Sequence, residues 1–211
     1  MEAIADLPLE LNQRLAMSEV LHVPAPWDAF LDMLPRCPYR IEYDDHEIIS
    51  IMGYATEAHE QLVLAIAHLL RELLGVENYQ YFGSNLALHI PDPDHHYFNA
   101  DCTVIQDETE KIYLRGSMYA IANPVLLVEI LSPSTYNYDL GQKFTQYRKI
   151  PSLKQVLFID SEALSIISQT RLSGTEDWLL REYNSLQDEV PVLNQGTFSM
   201  EALYQKITFP R

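Results

Sequence analysis

Apolar residues recur with two different periods along this chain. Over 56–74 they return at helical spacing, with Leu62, Ile66, Leu69, Leu70 and Leu73 on one stripe and His59 a turn earlier on the same side. Gly75 stands where a C-terminal cap belongs. A shorter helix is predicted over 27–34, behind Pro26, and a closing one over 198–205 with Ser199 near its cap. Elsewhere the pattern is that of strands. The runs 39–43 and 47–52 flank Asp44, Asp45 and His46 as a hairpin would, and 79–90 predicts one long or two short strands interrupted near Gly83. Over 99–105 the alternation puts Ala100, Cys102 and Val104 on one face and Asp101 on the other. Three further strands are predicted over 156–159, 164–167 and 178–183.

The stretch 125–131 would be seven apolar residues in a row but for Glu129, which predicts a strand buried on both faces. A buried, unpaired carboxylate there is costly, so Glu129 requires a metal, a cationic partner or a strand end that opens to water. Ser132, Pro133, Ser134 and Thr135 break the strand, and a helix is predicted over 139–150. Its inward stripe is Leu140, Phe144 and Tyr147, with Lys143 on the flank, close enough in pattern to meet Glu129.

Taken together the elements predict an α/β fold: a central mixed sheet with 125–131 in its interior and helices on both faces. A length of 211 residues accommodates one domain, assigned to 26–211, after an amino-terminal arm over 1–25. No apolar run reaches the roughly 20 residues of a membrane-spanning helix. The first residues lack a basic start and an apolar core, so the expectation is a cytoplasmic protein without a membrane partner. Cys37 and Cys102 lack C-x-x-C spacing and read as free thiols. A net charge of −16 opposes broad, nonspecific binding to nucleic acid, although Lys143, Arg148, Lys149 and Lys154 leave room for a local basic face.

Asp101 and Glu129 near the ends of adjacent strands, Lys143 on the next helix, and a third carboxylate from the amino-terminal part suit a hard divalent cation such as Mg²⁺. A structural Glu129–Lys143 ion pair, with Asp101 in solvent, accounts for the same residues, and the pattern leaves both readings open. Asp92, Asp94, His95 and His96 form a second polar cluster, but adjacent side chains in an extended loop diverge, which favours solvated turn residues over ligands. His59 reads as a half-buried helix residue or a site-lining one. G-x-S-x-G, H-E-x-x-H, P-loop and G-x-G-x-x-G patterns are absent, and with them the support for nucleophilic, zincin and nucleotide-binding chemistries.

The string 127–135, LVEILSPST, followed by Asp139, Lys143 and Tyr147, resembles the Uma-type family of restriction endonucleases within the PD-(D/E)XK nuclease superfamily. The run 41–48, IEYDDHEI, is similar to that family's amino-terminal hairpin, His59 to its early-helix histidine, and 99–104 to its first catalytic strand. The resemblance covers roughly 39–160. It implies a restriction-endonuclease-like sheet, metal-binding acids at Asp101 and Glu129, Lys143 as the catalytic lysine, Glu42 as a further acid, His59 and Tyr147 lining the site, and Mg²⁺ or Mn²⁺ as cofactor. Ala100 stands where proline commonly precedes the aspartate, Leu131 occupies the lysine position of the E-x-K triplet, and His46 replaces a frequent hairpin glycine. Lys143 is the replacement lysine in this reading. The implied function is Mg²⁺-dependent endonucleolytic hydrolysis of DNA by a homodimer; the alternative is a noncatalytic nucleic-acid-binding or assembly module that keeps the fold. The aromatic surface offered by Tyr79, Tyr81 and the strand near Trp178 is the sequence feature behind the dimer.

Overall fold

A computed structural model describes residues 13, 20–44, 46–92 and 95–209. Most of the arm assigned to 1–25 lies outside the described residues, as do Asp45 and Asp94. Leu21–Pro24, within that assignment, is a strand, β1. Helix α1 (Trp27–Met33) follows Pro26, which needs no amide partner at a helix start. Strands β2 (Ile41–Tyr43) and β3 (Ile48–Ile51) form the expected hairpin, and β1 pairs with the other edge of β3. Asp44 closes the hairpin by accepting from His46 and Ile48 amides, and the left-handed residue is Glu47 (φ 57°), so His46 causes no strain there. Phe30 and Leu31 of α1 pack on Ile41, Tyr43, Ile49 and Ile51, giving this small sheet its own core.

Helix α2 (Glu57–Leu74) begins with the Thr56 hydroxyl accepting from the His59 amide at 3.2 Å and ends at Gly75, whose φ of 75° suits a residue without a Cβ. Then come β4 (Tyr79–Gly83), β5 (Ala87–Leu88), β6 (Phe98–Asn99) and β7 (Cys102–Gln106). The hairpin β8 (Lys111–Arg115) and β9 (Met118–Ile121), which the sequence pattern did not predict, follows, and then β10 (Pro124–Leu131). Helical segment α3 covers 136–147, and β11 (Gln155–Asp160), β12 (Ile166–Arg171) and β13 (Trp178–Tyr183) complete the central sheet. A last hairpin of β14 (Glu189–Val192) and β15 (Gly196–Ser199) leads into α4 (Met200–Tyr204), which the Ser199 hydroxyl caps. Phe198, expected in that helix, belongs to β15.

Among the described residues the central sheet has six strands in the order β13-β12-β11-β10-β7-β4. β10 runs parallel to β11 and antiparallel to β7, so the sheet is mixed and β10 is interior, as expected. All eight residues of β10 are buried. Strand alternation divides them: Leu126, Val128 and Ile130 pack with Leu62, Ile66 and Leu70 of α2, while Leu127 and Leu131 pack with Phe144 and Tyr147 of α3. Each fully buried Val, Leu or Ile is worth about 1.5–3 kcal/mol. The sheet is thus clamped between two helices, and Glu129, between Leu127 and Leu131, necessarily faces α3.

Tyr79 and Tyr81 pack against the α2 side of the core, and the Tyr81 hydroxyl donates to the Gly75 carbonyl at 2.5 Å. Both are half-buried, so part of each is used within the chain and less of it is left for the surface assigned to a dimer.

Candidate active site

The ladder between β7 and β10 pairs Leu126 with Val104, Leu127 with Thr103 and Val128 with Cys102, and there it stops. The next residues in register are Glu129 and Asp101. The strand expected over 99–105 breaks at Ala100 and Asp101: Ala100 packs with the α3 core, while Cys102 and Val104 pack with the α2 core, so the three do not share a face. The break frees the Asp101 carboxylate to replace the missing rung, and its Oδ2 accepts from the Ile130 amide at 2.8 Å.

α3 supplies the cation by a second irregularity. In place of one continuous helix over 139–150 it has a wide π turn over Asp139–Lys143, between short α-helical segments. The extra residue in that turn rotates Asp139 and Lys143 inward and leaves Leu140 half-exposed. Lys143 is therefore wholly buried instead of lying on a flank. Its Nζ sits 2.9 Å from Glu42 Oε1, 3.0 Å from Glu129 Oε1 and 3.6 Å from Asp139 Oδ1, and it donates to the Asn99 carbonyl at 3.2 Å. The Tyr147 hydroxyl donates to the same Glu129 Oε1 at 2.6 Å.

Arg40, just before β2, forms the other half of the network. Its Nη1 donates to Asp101 Oδ1 at 2.5 Å, and its Nη2 to Glu42 Oε1 at 3.2 Å and the Asn99 carbonyl at 2.9 Å. His59 Nε2 lies 3.3 Å from Asp101 Oδ2, placing this histidine at the site. Burial would raise Asp101, but Arg40 and then His59 hold its carboxyl well below the usual carboxylate range. Burial pushes Glu129 up to about 8 against the pull of Lys143, with the Asp139 and Asp101 charges adding to the rise. Burial opposes the Lys143 charge, but Glu129, Glu42 and Asp139 together carry its pKa well above the ordinary lysine value. The consistent state is a charged lysine among several acids, one of which, Glu129, retains a proton near neutral pH.

Asp101 and Glu129 both reach a cavity of about 220 Å³ whose wall includes Arg40, Thr56, His59 and Ser132. Glu42 and Lys143 stand behind that wall and hold the acids from the protein side. Among the described residues no three His, Cys, Asp or Glu side chains enclose a cation by themselves. Two carboxylates beside an open cavity fit Mg²⁺, which keeps several waters, better than a closed structural zinc set. Glu42 Oε2, buried and without a hydrogen-bond partner, is one further oxygen in the cluster.

Of the residues that left room for a local basic face, Lys143 is internal, Lys149 is paired with Asp92, Lys154 donates to Gln106, and Arg148 is exposed. Asp92 is thereby engaged, and the His95 ring stacks on Trp27 at 4.7 Å. Sequence reasoning missed Arg40 and the Asn99 carbonyl. The signal for Arg40 is its spacing of two from Glu42 at a strand start, which puts both side chains on one face.

A family model, Uma2, described as "Putative restriction endonuclease", matches residues 27–200. An uncharacterised protein of Synechocystis sp. is 35% identical over 141 residues, covering 67% of this chain and 77% of that protein. A second from the same organism is 28% identical over 169 residues, covering 80% and 85%. A crystal structure from Anabaena variabilis, described as "a putative nuclease belonging to DUF820", superposes with a TM-score of 0.64 over 84% of this chain and 98% of that one, at 16% identity. That likeness establishes a shared nuclease-like fold.

Proposed function

This chain belongs to the Uma2 family of restriction-endonuclease-like proteins, and on that premise we propose that it is a Mg²⁺-dependent endonuclease hydrolysing DNA phosphodiester bonds, with Mn²⁺ able to replace Mg²⁺. The observation that supports this reading is the convergence of Asp101 and Glu129 on one cavity at the point where the β7–β10 ladder stops. A bound cation supplies Lewis-acid polarisation of a phosphoryl oxygen and a more acidic water.

The chain's own residues hold and orient. Asp101 and Glu129 would be its ligands; the Ile130 amide fixes one Asp101 oxygen, and Tyr147 and Lys143 fix one of Glu129. Lys143, internal as it is, holds Glu129 and Glu42 in place through its contacts to both and acts on substrate through them. His59 stands on the cavity wall beside Asp101, where it orients that carboxylate. The acidic body leaves attraction to DNA to a few local contacts, so few phosphates are neutralised and binding should weaken only gently with salt. A homodimer, with one such cleft for each DNA strand, completes the proposal; a monomeric mass at micromolar concentration would remove that part.

The test is cleavage of supercoiled plasmid and of single-stranded DNA with Mg²⁺ or Mn²⁺, wild type beside Asp101→Asn. Metal-dependent nicking by the wild type and none by the variant is expected. No cut by wild type under any condition, or an equal cut by the variant, replaces the enzyme with a noncatalytic nucleic-acid-binding or assembly module.

A further inference from the structure

Arg40 places a cation's charge against the acid that the proposed chemistry needs for its metal. The guanidinium bridges Asp101 Oδ1, Glu42 Oε1 and the Asn99 carbonyl, and its buried Nε has no hydrogen-bond partner. Its side chain keeps 23% exposure, whereas those of Asp101 and Glu42 keep 3% and 0%. Arg40 is therefore the most exposed member of this ion-pair set, and it lines the cavity beside Asp101. A divalent cation on Asp101 would stand a few ångströms from the guanidinium in a poorly screened place, and like charges there repel strongly. Room for retreat exists: Arg40 also lines a second cavity, of about 420 Å³, whose polar wall includes Asn85, Asn99, Tyr97 and Tyr119.

We propose that Arg40 is an exchangeable counter-cation, which holds Asp101 and Glu42 in the metal-free protein, yields Asp101 to an incoming divalent cation, and then presents its planar donors to the substrate phosphate. The inference rests on the reading of the cleft as a divalent-cation site. Arginine suits both stations because the same fork of N–H groups matches carboxylate and phosphate. Competition for one carboxylate is reciprocal, so removing the Arg40 charge must tighten metal binding by as much as metal binding weakens the Arg40–Asp101 pair.

The experiment is calorimetric titration of the full chain with MnCl₂, without DNA, for wild type, Arg40→Gln and Arg40→Lys. The Gln variant should bind Mn²⁺ about tenfold more tightly, within the usual range of coupled sites. It should also show the larger rise in melting temperature on saturation. The Lys variant, which keeps the charge, should stay near wild type. With a cleavable oligonucleotide at saturating Mn²⁺, the Gln variant should be slower than the Lys variant. Weaker Mn²⁺ binding by Arg40→Gln, or equal shifts in the two variants, overturns the proposal. The wild type gives an independent check, because the Arg40 Nε–H resonance should move with Mg²⁺ along the isotherm that MgCl₂ gives in the same calorimeter. A resonance unmoved at saturation also overturns it. Tightened Mn²⁺ binding without any DNA cleavage sustains the exchange of Arg40 for metal at Asp101 and ends the nuclease reading together with the phosphate contact; cleavage with unaltered Mn²⁺ affinity overturns the exchange and leaves the nuclease reading standing.

Discussion

Replacing Glu129 by glutamine should stabilise the metal-free protein, and increasingly so as pH rises. Glu129 is 1% exposed, and burial lifts its pKa from the ordinary 4.5 to about 8. Below pH 4.5 the carboxyl is protonated in folded and unfolded chains alike, and it costs nothing. Between 4.5 and about 8 the unfolded chain releases a proton that the folded chain keeps, so stability falls as pH rises, and above about 8 the loss is complete. At about 1.4 kcal/mol for each tenfold change in proton affinity, the whole effect is about 5 kcal/mol. Glutamine copies the shape of the protonated acid and does not titrate. Lys143 still has Glu42 and Asp139 as partners. Urea unfolding in EDTA at pH 5, 7 and 9 should therefore give wild type and variant stabilities within about 1 kcal/mol at pH 5, separating by several kcal/mol in favour of the variant at pH 9. Parallel stability curves, or a less stable variant at pH 9, would refute the reasoning.

Lys143→Met should cost about 3–5 kcal/mol in urea unfolding at pH 7, because it leaves Glu42 and Asp139 buried without their ammonium; a loss under about 1 kcal/mol would show that the ion pairs contribute little. Asp101→Asn should destabilise by about 1–3 kcal/mol at neutral pH through the lost charge-assisted bond to Arg40. The Asp101 pKa lies below its unfolded value, so this contribution is present above the ordinary 3.8 and lost as pH falls toward the folded value. Acid denaturation should accordingly show the wild-type and Asn curves converging at the low-pH end, and a deficit that persists there would contradict the assignment.

The central strand was legible because its pattern failed at one place: a single carboxylate in an unbroken apolar run forced the question of its partner. α2 was legible for the opposite reason, since its stripe, Thr56 and Gly75 all agree. The wide turn at Asp139–Lys143 was not, because composition around Gly141 continues the α-helical period and the shift lies in backbone hydrogen bonding alone. It is this shift that turns Lys143 from a flank residue into the centre of the acid cluster. The break at Ala100 and Asp101 escaped notice because alternation continues through it. The β8–β9 hairpin escaped because most of its side chains, the apolar Ile112, Tyr113 and Tyr119 included, are exposed, so no alternation of buried and polar positions marks it. Arg40 was weakly marked for a related reason, its spacing of two from Glu42 being the one signal. That spacing alone also fits a solvated edge residue; the fold decides it by bringing Asp101, sixty-one positions away, against the guanidinium.

The account turns on Asp101 and Glu129 sharing one divalent cation. Anomalous scattering from crystals of the wild type soaked in Mn²⁺ measures this directly. A single peak within coordination distance of both carboxylates is the predicted result, lost in Asp101→Asn. A peak elsewhere, or none at saturating Mn²⁺ with Arg40 and Lys143 still closing the acids, would contradict it.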